Sequence, residues 1–151
     1  MKSGSLRKVR AVAATLAAGA ALLVSNAATA TAGEIGTQDA HGCTFTGGPG
    51  AAHELCINVA GVGNHVDRAQ GVYTVLPPGW YCGVTFKLFG RDSGDHHWEN
   101  EQRAGCGPNP YVDWYFGSGN GYFKPGSDLC VAVKPGDDKP YMGEYACIRI
   151  E

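Results

Sequence analysis

Beyond residue 43, hydrophobic side chains recur at every second position over short stretches, and Gly, Pro, Asn and Asp interrupt them about every 8 to 15 residues. That rhythm is the one strands require, because successive side chains point to opposite faces of a sheet. Six stretches follow it: Leu55 to Ala60, Gly71 to Leu76, Trp80 to Phe89, Tyr111 to Phe116, Leu129 to Lys134 and Tyr145 to Ile150. In the third, alternation places Trp80, Cys82, Val84, Phe86 and Leu88 on one face, which is expected to be core. In the last two, Leu129, Val131 and Val133 alternate with Cys130 and Lys134, while Ala146, Ile148 and Ile150 alternate with Cys147 and Arg149. The two cysteines then share a face opposite the aliphatic stripe, as a crosslinked hairpin needs, and Pro135 to Pro140 supplies its turn. The pattern predicts an all-β fold, a small antiparallel β-sandwich or barrel, with at most one short helix.

Two segments lack the rhythm. Arg91 to Ala104 has no Pro and an early Gly, and Asp95 stands where it would cap a helix, but its apolar content is only Trp98 and Ala104. It reads as a polar excursion between strands with at most one helical turn. Gly33 to Gly42 holds Ile35 as its sole aliphatic side chain larger than Ala, so it is expected to be a flexible tail ahead of a single domain at residues 43–151. Upstream, Lys2, Arg7, Lys8 and Arg10 precede the uninterrupted apolar run Ala11 to Val24, which is too short to span a bilayer. With the small residues Ala30-Thr31-Ala32 after it, the segment 1–32 reads as a secretory signal peptide.

Export changes the charge. The 151-residue chain has 12 basic and 14 acidic residues, and loss of the four basic residues of the signal leaves eight against 14, a net charge of −6. An acidic domain without a Lys/Arg cluster has no means of neutralising phosphates, so nucleic acid and anionic membrane are excluded as partners. Export also places all six cysteines in an oxidising compartment, where three disulfides are expected. Spacing favours neighbours: Cys43 with Cys56, Cys82 with Cys106, and Cys130 with Cys147. No two cysteines lie close enough for the paired spacing of a structural zinc site.

Candidate chemistry concentrates in Asp92-Ser93-Gly94-Asp95-His96-His97-Trp98-Glu99-Asn100-Glu101. On a helix, His97 and Glu101 would stack at i and i+4, and His96 and Glu99 at i and i+3, either pair able to offer two metal ligands. As a solvated loop, the same residues form an acidic contact surface. A glycoside hydrolase would draw its carboxylate pair from Asp95 or Glu99 with Asp113. A ribonuclease would draw on His65, Asp67 and Arg68. Neither Ser93 nor Ser118 lies in a nucleophile elbow, and Gly61-Val62-Gly63-Asn64-His65 lacks the third Gly of a phosphate-binding loop and reads as a hairpin turn. No motif implies a cofactor. The aromatic group Tyr111, Trp114, Tyr115, Phe116, Tyr122 and Phe123 surrounds a Gly-rich turn, and it either fills the core or supplies exposed rings for sugar stacking or a protein hot spot.

The pattern Cys56-Ile57-Asn58-Val59-Ala60-Gly61-Val62-Gly63-Asn64-His65-Val66, with Trp80-Tyr81-Cys82-Gly83, Leu129-Cys130-Val131 and Ala146-Cys147-Ile148, resembles small disulfide-rich secreted proteins of actinomycetes. In layout the chain looks like the small bridging subunit of secreted umbrella toxin particles, which links a lectin-bearing subunit to a long stalked one. The resemblance implies a tail that docks as an extended strand on one protein while the globular face contacts another. The expectation is therefore a secreted, extracellular, noncatalytic adaptor whose partners are other secreted proteins, with glycans as a second class of ligand. Its contact residues are expected among Glu34, Ile35, Trp114, Tyr115 and Tyr122. The competing expectations are a small hydrolase or metal-dependent enzyme built on Asp95, His96, His97 and Glu99, and a carbohydrate-binding module.

Overall fold

A computed structural model describes residues 39–46, 52–76 and 79–151. These residues form eight strands and no helix: β1 (Ala40–Thr46), β2 (Ala52–Val62), β3 (His65–Leu76), β4 (Thr85–Arg91), β5 (His97–Arg103), β6 (Tyr111–Tyr115), β7 (Asp128–Lys134) and β8 (Ala146–Arg149). They pair into two four-stranded antiparallel sheets, ordered β1-β2-β3-β6 and β5-β4-β7-β8. The expected sandwich is the architecture; no closed barrel forms among the described residues.

Alternation decides the core. Leu55, Ile57 and Val59 of β2 face Leu129, Val131 and Val133 of β7 and Ile148 of β8, and all are fully or almost fully buried. Phe86 and Leu88 of β4 complete the layer. Each such side chain contributes roughly 1.5–3 kcal/mol on leaving water. Gly71, midway along β3, lets the sheets approach: a β-carbon there would lie 2.9 Å from the Phe86 ring and 3.0 Å from Val131. The β2–β3 hairpin turns at Gly63, φ +58°, in the Gly-rich turn read from the sequence. A register shift beside Ala60 leaves Asp67 and Arg68 consecutively exposed, as a β-bulge does.

All three disulfides join the expected neighbours. Cys43 faces Cys56 directly across β1 and β2, and Cys130 faces Cys147 across β7 and β8, so each staples an edge strand to its sheet. Cys82–Cys106 ties the segment before β4 to the segment after β5. Each closed loop contributes roughly 3 kcal/mol. These bonds fit an extracellular or otherwise oxidising compartment.

Three expectations are corrected. Trp80 and Cys82 are not core: Trp80 is 75% exposed, because Gly83 at φ +74° breaks the extended backbone and Cys82 turns away to Cys106, so only Val84, Phe86 and Leu88 face inward. The segment 91–104 holds no helical turn, since residues 97–103 pair along the whole of β4 as strand β5. The domain begins before Cys43: Ala40 is already paired with Val59 and buried, which takes residues 40–42 out of the tail. The proposed signal and the rest of the tail, with Glu34 and Ile35, lie outside the described residues.

The two sides of the sandwich differ. On one, β1 and β8 touch main chain to main chain at Gly42, where a β-carbon would fall 2.4 Å from the carbonyl oxygen of Cys147. Gly42→Ala is therefore expected to lower the unfolding free energy by about 1–3 kcal/mol, whereas Gly105→Ala, which meets open space, is expected to leave it nearly unchanged. Urea denaturation of the two oxidised variants checks this.

Candidate functional site

On the other side, the edge strands β5 and β6 are not paired main chain to main chain, and a cleft of about 610 Å³ opens between them. Trp114 of β6 points inward and is 3% exposed, and its indole N–H donates to Asn100 Oδ1 of β5 at 3.0 Å, bridging the gap between the sheets. Trp98, Phe116 and Phe123 pack on one another at centroid separations of 5.5–5.6 Å and form the aromatic bed beside it. Tyr115 and Tyr122 stand exposed at the rim. Gln102, Asn120 and Ser93 add polar groups, and Gly121, at φ +113°, lets its turn lie against the main chain of Val66.

The aromatic group read from the sequence is thus divided: Trp114 and Phe123 are core, Phe116 is half-buried, and Tyr111, Tyr115 and Tyr122 are exposed. Of the expected contact residues, the structure brings Trp114, Tyr115 and Tyr122 to one cleft. Trp98, Asn100 and Gln102 were missed, because they lie in the segment without an aliphatic stripe. Their signal was there in weaker form: Trp98, Asn100, Gln102 and Ala104 alternate with charged residues directly after the turn signature Asp92-Ser93-Gly94-Asp95.

The acidic cluster around the β4–β5 turn is occupied with itself. Asp92 Oδ1 accepts from the main-chain N–H groups of Gly94 and His96, both at 2.9 Å, and these bonds hold its carboxyl below the usual range. Asp95 adopts φ +67° and binds Lys124 Nζ at 2.7 Å and Arg91 at 3.1 Å, and the Lys124 contact is the main reason its pKa is lowered. Glu99 is lowered by His97 at 3.2 Å and then by Lys87 at 3.7 Å. Because β5 is a strand, His97, Glu99 and Glu101 are strung along its outer face two residues apart, each step about 7 Å, instead of stacking as helix neighbours. His96 stays in the turn beside Asp92. Among the described residues the only group of three potential ligands that converges is His41, Cys43 and Cys56, whose sulfurs form a disulfide.

Asp113 and Glu99 project from the outer faces of different sheets, with the core between them. Asp113 ends a row that crosses the first sheet in register: His41 donates to Asn58, Asn58 Nδ2 to Gln70 Oε1 at 3.3 Å, and Gln70 Nε2 to Asp113 Oδ1 at 3.1 Å. Arg68 donates to the same oxygen at 2.7 Å, while the His65 ring meets Asp67 at 3.2 Å and Tyr122 edge-on. On the second sheet, Tyr141 lies over Lys87 and Lys134, and burial, then Glu101, pushes its hydroxyl pKa well up.

Comparison with protein-family models, with characterised proteins and with solved structures finds no match to this chain. In the described residues, no helix is long and apolar enough to cross a membrane.

Two outcomes are expected. Asn100→Ala leaves the buried Trp114 N–H without its acceptor and is expected to cost about 1–3 kcal/mol of stability, read by urea denaturation, with Trp114→Phe in the same background recovering part of it. Because the Asp95 carboxyl is lowered in the folded state, its contribution is present at neutral pH and is lost as pH falls through that lowered value, beneath the ordinary 3.8. Asp95→Asn should accordingly lower Tm at pH 7 and shrink the drop in Tm between pH 5 and strongly acidic conditions, followed by near-UV circular dichroism.

Proposed function

We propose that the chain is a secreted, noncatalytic interaction module that serves as an adaptor subunit of an extracellular protein assembly. The observation that carries this reading is the open side of the sandwich, where two edge strands run beside the exposed rings of Tyr115 and Tyr122 and, further along β6, Tyr111. An edge strand offers a row of main-chain donors and acceptors to an extended segment of another protein, and exposed Tyr anchors such a contact at low entropic cost.

Other features agree. The basic, then apolar start of the chain reads as an export signal, and three disulfides suit the medium it leads to. The layout resembles the bridging subunit of umbrella toxin particles, in which a tail and a globular face engage different proteins. Glu34 and Ile35 would be the tail's contacts. A hydrolase or metal enzyme centred on Asp95, His96, His97 and Glu99 draws no support from carboxylates already engaged in turn bonds and ion pairs.

The test is affinity purification of the tagged mature protein from native culture medium, set against a chain lacking residues 33–38 and against Tyr115→Ala/Tyr122→Ala. That deletion leaves β1 intact. Secreted proteins recovered with the intact chain and reduced at least tenfold by one of the two changes are expected. A monomer that retains no protein overturns the adaptor reading.

A further inference from the structure

We propose that the cleft between β5 and β6 is a binding site for a neutral glycan. This goes beyond the adaptor reading and does not depend on it, since a protein partner engages the tail, the strand edges and the rim tyrosines whereas the glycan occupies the space between the sheets.

Charge narrows the ligand first. Among the described residues Asp92 is the one ionised side chain lining the cleft, and its Oδ1 already holds two main-chain N–H groups. No described Lys, Arg or His lines it. A phosphate, sulfate or carboxylate would find no counter-charge to replace its lost water, and a metal cation would find one carboxylate with half its capacity spent. The ligand is therefore uncharged.

The polar groups narrow it further. Asn100, Gln102 and Asn120 each carry a donor and an acceptor on one head. The Asn100 carbonyl is taken by Trp114, which leaves its NH₂ free to donate, and the Gln102 and Asn120 amides have no hydrogen-bond partner among the described residues. A wholly apolar ligand would strip water from these amides and return nothing, at a cost for each group. A ligand rich in hydroxyls, which donate and accept in turn, pairs with them. Beside the amides stand Trp98, half-buried, and the exposed ring of Tyr122, flat surfaces suited to an apolar C–H face, whereas the Tyr115 ring turns to the outer side of β6 beneath Arg68. Alternating hydroxyls and C–H faces on a neutral frame are the chemistry of a pyranose chain. The volume, about 610 Å³, falls within the range of small-molecule sites, about 300–1,000 Å³.

The position of the tryptophans gives a direct readout. Two of the three, Trp98 and Trp114, line the cleft, and the third, Trp80, lies exposed outside it. In the full disulfide-bonded chain carrying Trp80→Phe, emission is titrated with chitohexaose, cellohexaose and mannohexaose, and with polygalacturonate as the anionic counterpart. A saturable change with at least one neutral hexaose is expected, weakened at least tenfold by Gln102→Ala/Asn120→Ala. Asn120 is exposed and Gln102 half-buried, and an unchanged Tm and circular dichroism spectrum confirm that this variant folds. Flat titrations with all three neutral sugars overturn the proposal, as does a response to polygalacturonate alone. Neutral-sugar binding of undiminished strength in the double variant overturns the cleft as its place. Loss of protein capture in the affinity purification, with sugar binding intact, would sink the adaptor reading and leave this one standing.

Discussion

The structure rests on the contact between β1 and β8 at Gly42. With no side chain there, two edge strands from different sheets come together main chain to main chain, and Cys43–Cys56 and Cys130–Cys147 fasten each strand to its own sheet next to that contact. The sheets are thereby held along one side. The opposite side has no such contact, and Trp114, reaching across to Asn100, acts as a spacer with a polar tip. An indole is much larger than the hydrogen atom of a glycine, so the sandwich is tight at β1 and β8 and open at β5 and β6.

That asymmetry decides what the polar residues do. On the first sheet they are spent on one another, because His41, Asn58, Gln70 and Asp113 stand in register on successive strands and pass hydrogen bonds along the row. On the second sheet the segment after β7 folds back over the outer face. Tyr141 covers the Lys87 and Lys134 stems and Tyr145 packs edge-on against Phe89, which explains why Ala132, on the outward side of β7, has no exposure. Among the described residues the amides of Gln102 and Asn120 have neither kind of partner, and they stand at the open side.

Much of the fold was legible because strands with one buried face announce themselves. The stripes of Leu129, Val131, Val133 and of Ala146, Ile148, Ile150 gave β7, β8 and their crosslink from alternation alone. β5 was hidden for the converse reason: an edge strand over a wet cleft needs no aliphatic stripe, so its inward positions are Trp98, Asn100 and Gln102, which read as polar loop. Trp80 misled in the opposite direction, since periodicity cannot see that Gly83 takes a positive φ and reverses the phase before the strand begins. The candidate site was legible in part. Tyr115, Trp114 and Tyr122 are close in sequence, whereas their amide companions on β5 become neighbours only when the two sheets pack.

An opening held apart by a rigid frame has a consequence for binding. A cleft that had to form around its ligand would spend part of the interaction energy on ordering loops and side chains. Here the aromatic bed of Trp98, Phe116 and Phe123 is packed on the core, and Trp114 is fixed by Asn100, so the rings are placed before any ligand arrives. The turn that brings Asp92 and Ser93 to the cleft is fixed as well, by the bonds Asp92 accepts and by the ion pairs of Asp95 with Lys124 and Arg91. Asp92 and Asp95 thus help to hold that surface in place. Charges committed to holding a turn add in this way to the rigidity of the open side.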